Sequence, residues 1–188
     1  MALRKPDLYT LDEYLKLKEI TNQPYEYING EVIRFWSPTT DRQKIALSLG
    51  IKLKEYFKKT NYTVVFLPCY VSLYKEDIIG TQIVIPDISV ICDKFEFNES
   101  DYKGIPTIII EILNSSVQDD TIKKFNLYLK YGVREYWIIN PEDRNFQVYT
   151  YDIINKSYVL FIQEPYKELR SKLFPDLVVN MEEIYEEI

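Results

Sequence analysis

Two carboxylates in this chain interrupt apolar runs that have no structural use for a charge. Ile83-Val84-Ile85-Pro86-Asp87-Ile88-Ser89-Val90-Ile91-Cys92 reads as a buried strand carrying Asp87, and Ile108-Ile109-Ile110-Glu111-Ile112-Leu113 as a second strand carrying Glu111. An unpaired charge is expensive to bury, so each acid needs a partner. One divalent cation held between neighbouring strands would serve both, with Lys124, on a helical segment just downstream, as a third polar group. That is the chemistry of a metal-dependent phosphodiesterase. Blander roles stand beside it. Asp87, following Pro86, could cap backbone amides at a strand bulge, and Glu111 could form a buried ion pair with Lys124 or Arg134. Lys124 could pair at the surface with Asp120, four residues before it on one helix face. Glu26, Glu31 and Glu135, the other acids in strand-like sequence, fit solvent-facing alternate positions of their strands.

Composition narrows the chemistry further. The chain contains no histidine, which removes Ser-His-Asp and Cys-His mechanisms and most zinc sites. Catalysis must then rest on carboxylates, lysine, tyrosine, hydroxyls or a hard metal such as Mg²⁺ or Mn²⁺. A net charge of -6 weighs against a protein that simply coats nucleic acid. It does not exclude a nuclease, whose clustered carboxylates add negative charge that a bound cation offsets locally. No apolar run is long enough to span a membrane, and Met1-Ala2-Leu3-Arg4-Lys5-Pro6-Asp7 lacks the apolar core of a secretory signal. Cys69 and Cys92 fit buried free thiols of a cytoplasmic protein better than a disulfide.

The elements that must position these groups are legible as patterns. With 188 residues and no repeat, linker or low-complexity tract, residues 1–188 read as one domain. Thr10 and Glu13 form a capping box that opens a short helix. Asn29-Gly30 joins Tyr25–Ile28 to a strand beginning at Glu31 as an N-terminal β-hairpin. A long helix follows, with Ile45, Leu49, Leu53 and Phe57 as its core stripe. Its other face carries Arg42, Lys44, Lys52, Lys54, Lys58 and Lys59, which fits a solvated surface better than a phosphate-facing one. Strands are expected around 62–67, 70–74, 84–92, 107–113, 134–140, 146–152 and 158–162. Helices are expected at 117–131, with Ile122, Phe125 and Leu129 inward and Gly132 just past its end, and at 181–188. The class is α/β, an α+β mixed sheet flanked by helices.

A family resemblance rests on motifs spread along the chain. Pro86-Asp87, Gly104-Ile105-Pro106, Ile110-Glu111-Ile112-Leu113-Asn114-Ser115-Ser116, Asp120, Lys124, Leu127-Tyr128, Gly132-Val133-Arg134-Glu135-Tyr136-Trp137 and Asn140-Pro141 resemble the Uma2 family. Leu11-Asp12-Glu13-Tyr14-Leu15 and Tyr25-Glu26-Tyr27-Ile28-Asn29-Gly30-Glu31 extend the match over nearly the whole chain. That family, formerly a domain of unknown function and abundant in cyanobacteria, belongs to the PD-(D/E)XK restriction-endonuclease-like superfamily. The resemblance implies a restriction-endonuclease-like core in which Asp87 and Glu111 bind the metal. The superfamily lysine stands two residues after the second acid, where this chain has Leu113; the family carries it on the following helix, at Lys124. Near the family's frequent histidine in the long helix stands Gln43, and Asn114-Ser115 replaces the commoner Ser-Pro.

The expected function is Mg²⁺- or Mn²⁺-dependent hydrolysis of a nucleic-acid phosphodiester, in the manner of an endodeoxyribonuclease. Asp87 and Glu111 would supply oxygen ligands, and Lys124 would orient water or offset charge on the phosphate. Glu26 would be an auxiliary ligand or a base acting through water. DNA is the expected partner, and a homodimer fits by analogy with nucleases that cut both strands. The alternative is a non-catalytic module that keeps the nuclease-like fold and binds nucleic acid or protein, favoured by the acidic balance and the displaced lysine.

Overall fold

The computed structural model describes residues 8–21, 23–35, 38–92, 97, 101–113, 118–161 and 167–186, with backbone alone at 118–120. The chain begins with α1 (Leu11–Ile20), β1 (Tyr25–Ile28), β2 (Glu31–Arg34), α2 (Thr40–Phe57), β3 (Tyr62–Phe66) and β4 (Tyr70–Leu73). It continues through β5 (Gln82–Val84), β6 (Ile88–Cys92), β7 (Asp101–Lys103), β8 (Ile108–Ile112), α3 (Gln118–Tyr131) and β9 (Glu135–Asn140). It ends with β10 (Asn145–Asp152), β11 (Ser157–Leu160), β12 (Glu168–Arg170), β13 (Val178–Asn180) and α4 (Met181–Tyr185).

Local signals explain most of these boundaries. The Thr10 and Glu13 side chains cap each other's backbone at the start of α1. Asn29 and Gly30 both adopt positive φ, 53° and 86°, the geometry that lets a two-residue turn follow the twist of β1 and β2. Gly132, at φ 79°, ends α3. Its N–H donates to the Leu129 carbonyl and the Val133 N–H to the Tyr128 carbonyl, the paired bonds of a Schellman stop.

The fold is mixed α/β, but its strands divide between two main sheets. One has the order β2-β1-β5-β4-β7, the other β11-β10-β9-β8-β6-β3, and β12 with β13 forms a small ribbon. The expected single strand through Asp87 is therefore corrected. Val84 ends β5 in the first sheet, Ile88 begins β6 in the second, and Ile85-Pro86-Asp87 is the crossing between them. Proline lacks the N–H a ladder requires, which is where the pairing changes hands. The short strands β7, β12 and β13 had no counterpart in the sequence pattern.

The six-stranded sheet is covered on both faces, which is why its central strands read as unbroken apolar runs. Ile108, Ile110 and Ile112 pack with Ile45, Leu49, Leu53 and Phe57 of α2. Ile109, Tyr136 and Ile138 face the other way, into a core with Leu127, Tyr128 and Tyr131 of α3 and Val71, Leu73 and Val84 of the first sheet. By alternation Glu111 belongs to that second face, toward α3. The expected inward face of α3 is corrected in part. Phe125 packs against this core as expected, but Ile122 is 63% exposed, and Lys124, Leu127, Tyr128 and Tyr131 turn inward.

Glu135, expected to face solvent, is fully buried. It accepts hydrogen bonds from Trp137 Nε1 (2.9 Å), Ser171 Oγ (2.9 Å), Lys172 N (2.7 Å) and Leu173 N (2.7 Å), tying β9 to the C-terminal segment. Burial raises its pKa, and the four donors oppose that rise. Glu135→Gln turns an amide group toward donors, so it is expected to cost about 1–3 kcal/mol in chemical denaturation. A cost under about 0.5 kcal/mol would contradict this role.

Candidate active site

The site lies where the two sheets meet, at the crossing from β5 to β6. Extending the Ile88–Ile110 register of β6 and β8 by one pair brings Asp87 opposite Glu111. Asp87 is fully buried and engaged on both oxygens. Arg42 of α2 holds it with a bidentate fork, Nε to Oδ1 at 2.7 Å and Nη2 to Oδ2 at 2.8 Å, and the Ile112 N–H donates to Oδ2 at 2.7 Å. Glu111 accepts from Lys124 Nζ at 3.0 Å and from Tyr128 Oη at 2.8 Å. The same Lys124 amine lies 2.8 Å from Glu26 Oε1, which also accepts the Ile85 N–H at 2.7 Å.

The structure thus gathers all four sequence-derived candidates, Asp87, Glu111, Lys124 and Glu26, into one buried polar layer. The expectation that Glu26 faces water is overturned. It is as buried as its neighbours on β1, because it closes the lysine's cradle from the first sheet. The bland readings are partly realised as well, since Asp87 caps an amide and Glu111 pairs with Lys124. The Asp120 side chain and residues 114–117 lie outside the described residues. Glu31, by contrast, is at the rim and pairs with Lys123.

Arg42 and Tyr128 are site groups outside the four sequence-derived candidates. Arg42 belongs by charge to the expected solvated face of α2, yet its side chain is only 12% exposed and points at Asp87. The signal was present, because Arg42 stands three residues before Ile45 and seven before Leu49, on the core stripe. Gln43, beside it, instead donates to the Pro38 carbonyl at 3.0 Å and stays exposed. The remaining helix lysines, 44, 52, 54, 58 and 59, are exposed as expected.

Burial governs the electrostatics. It pushes the Asp87 carboxyl up to about 6; Arg42 opposes the rise and the nearby Glu111 charge adds to it. Burial also raises Glu26, with Lys124 opposing and Glu111 reinforcing. Lys124 goes the other way. Burial alone would lower its pKa, but Glu111 and Glu26 together outweigh burial and hold it protonated. Tyr136 Oη, reached by the field of Glu111 from β9, is a buried side-chain oxygen without a hydrogen-bond partner among the described residues.

No group of three or more His, Cys, Asp and Glu side chains is arranged to hold a metal among the described residues. A Mg²⁺-type ion needs fewer, because it keeps several waters and takes one or two carboxylates. Asp87 and Glu111 are hard oxygen donors on adjacent segments, and their chemistry fits such an ion. A cavity of about 470 Å³ reaches Asp87 and Arg42, walled by Arg34, Phe35, Phe66 and Pro68.

Lys124 sits between two buried carboxylates, so Lys124→Met leaves both without their shared cation. The variant is expected to lose about 3–5 kcal/mol at pH 8. A carboxyl whose folded pKa is raised stabilises the fold below its unfolded value, and that contribution fades as pH rises through the folded value. Without Lys124 the Glu26 carboxyl climbs further, so the cost of the variant should shrink as pH falls from 8 toward 5. Denaturation at several pH values reads this out, and a pH-independent cost would contradict the buried cluster.

Comparisons with known proteins agree with this architecture. A crystal structure of a putative nuclease belonging to DUF820 from Anabaena variabilis ATCC 29413 superposes with a TM-score of 0.76 at 23% identity, covering 95% of this chain and 98% of that one. At that identity the likeness establishes the fold. No curated protein matches the chain. Among the described residues, no helix is long and apolar enough to cross a membrane. The family profile of Uma2, described as a putative restriction endonuclease, matches residues 11–182, and the chain therefore belongs to the Uma2 family.

Proposed function

We propose that this protein is a divalent-cation-dependent endonuclease whose ion is held by Asp87 and Glu111 and whose substrate is DNA. One observation carries the reading. Two carboxylates and a lysine from three separate elements, which apolar packing alone would never bring together, converge beside a cavity that opens at Asp87. Mg²⁺ or Mn²⁺ bound there would act as a Lewis acid on a phosphate oxygen.

The chain's own residues supply the rest. Lys124, as a compact cation held by Glu26 and Glu111, can offset charge that develops on the phosphate but cannot serve as a base. Tyr128 fixes the Glu111 carboxylate through its hydroxyl, and the Ile112 N–H fixes Asp87. Glu26 acts as a positioning residue for the lysine. Sites of this kind depend on groups held by rigid elements; here Glu26, Glu111, Lys124 and Arg42 stand on strands and helices, and Asp87 stands on a three-residue crossing pinned between β5 and β6. A homodimer would bring two such sites to the two strands of a duplex.

A second reading, a binding module without catalysis, is favoured by one specific feature: each candidate ligand already has a basic partner, Arg42 for Asp87 and Lys124 for Glu111. Purified protein incubated with single- and double-stranded DNA over a range of Mg²⁺ and Mn²⁺ separates the two. Metal-dependent cleavage that drops at least about 100-fold in Glu111→Gln, with a normal melting profile, is the expected result. Cleavage by Glu111→Gln at the wild-type rate would overturn the ligand assignment, and no cleavage of any DNA would favour the binding module.

A further inference from the structure

We propose that Arg42 exchanges partners: it holds Asp87 in the ion-free protein and, once a divalent cation takes that carboxylate, turns its guanidinium onto a phosphate of the substrate. This rests on the reading of Asp87 and Glu111 as the cation's ligands.

Geometry makes Arg42 and the cation competitors. The guanidinium spans both Asp87 oxygens at 2.7 and 2.8 Å, and the Ile112 amide takes a further lone pair of Oδ2. Three of the roughly four acceptor positions of the carboxylate are thus taken, and a cation reaching the one left on Oδ1 would sit against the guanidinium and its like charge. Charge reinforces the point. Glu26, Asp87 and Glu111 carry three formal negative charges against the two positive charges of Arg42 and Lys124. With a divalent ion in place, the three carboxylates and Lys124 make a neutral set. Retaining Arg42 as well would leave a net positive charge in a buried layer, which is costly.

Of the two cations, Arg42 is the one that can leave. Lys124 is clasped between two carboxylates on the inward face of α3. Arg42 stands in the first turn of α2 and lines the cavity of about 470 Å³ together with Asp87. That cavity gives the guanidinium room to move off Asp87. The Phe35 ring lies 5.5 Å from the guanidinium carbon, and Arg34 is on the same wall. A planar fork released there matches two phosphate oxygens as well as it matches two carboxylate oxygens. The exchange would keep the empty site closed and make the phosphate contact conditional on the ion.

Two titrations on the full chain at pH 8 test this. First, Mn²⁺ binding without nucleic acid is followed by calorimetry and by melting temperature in the wild type, Arg42→Met, Arg42→Lys and Glu111→Gln. Arg42→Met is expected to bind Mn²⁺ about tenfold more tightly than wild type, a difference of about 1.4 kcal/mol. Arg42→Lys, which keeps the charge without the fork, should fall between them and carries the comparison if Arg42→Met does not fold. Second, binding of a labelled DNA duplex in Mn²⁺ is followed by stopped-flow anisotropy before cleavage accumulates. Loss of one phosphate contact should reduce the salt slope by about 1 in Arg42→Met, while Arg42→Lys, which keeps the charge, should hold most of it. Wild-type Mn²⁺ binding that disappears in Glu111→Gln but is unchanged or weaker in both Arg42 variants overturns the exchange alone, as does an unchanged salt slope in Arg42→Met. Absence of Mn²⁺ binding in every protein overturns the ligand assignment and the exchange with it.

Discussion

The structure depends on a buried charge imbalance: three carboxylates, from β1, the β5–β6 crossing and β8, share two cations at the seam between two sheets. Apolar side chains of the same volume would hold that seam at least as well, since buried ion pairs seldom improve on apolar packing. The arrangement is therefore a poor stabilising device. Its members are fixed from every side, by the Ile85 and Ile112 amides, the Tyr128 hydroxyl and the two basic side chains. Helix α3 brings Lys124 and Tyr128 in one turn, and α2 brings Arg42 from the opposite face of the six-stranded sheet. Each helix thus contributes apolar area to a core and at least one polar group to the seam.

That division of labour decides how much could be read from the chain alone. The capping box of α1, the Asn29-Gly30 hairpin and the Ile45-Leu49-Leu53-Phe57 stripe announce themselves because local rules fix them. Asp87 and Glu111 stand out because each breaks an apolar run. The change of sheet at Ile85-Pro86-Asp87 is hidden, since a strand buried in either sheet has the same composition; only the proline marks it. Arg42, Glu26 and Glu135 were assigned to water because charged residues are usually solvated. All three are overruled by tertiary partners lying 45, 59 and more than 30 residues away. Pairings at that range leave no local trace in composition. Arg42 is the exception, because its spacing from Ile45 and Leu49 placed it on the core face.

The inward face of α3 carries the same lesson in reverse. Ile122 has the apolar character expected of a core residue and lies outside, while Lys124 lies inside. A lysine takes that place only because two carboxylates are waiting for it, and the helix is rotated to deliver it. The rotation also brings Leu127, Tyr128 and Tyr131 onto the sheet, so packing and chemistry agree on one orientation. The chain belongs to the Uma2 family and shares its fold with a solved structure of a putative nuclease.

The most direct measurement is a crystal structure of the protein soaked in Mn²⁺, with anomalous scattering used to place the ion. The account predicts an anomalous peak between the Asp87 and Glu111 carboxylates, with Arg42 moved off Asp87 and Lys124 still between Glu26 and Glu111. Data showing Arg42 in its bidentate contact with Asp87, and no peak there at saturating Mn²⁺, would contradict it.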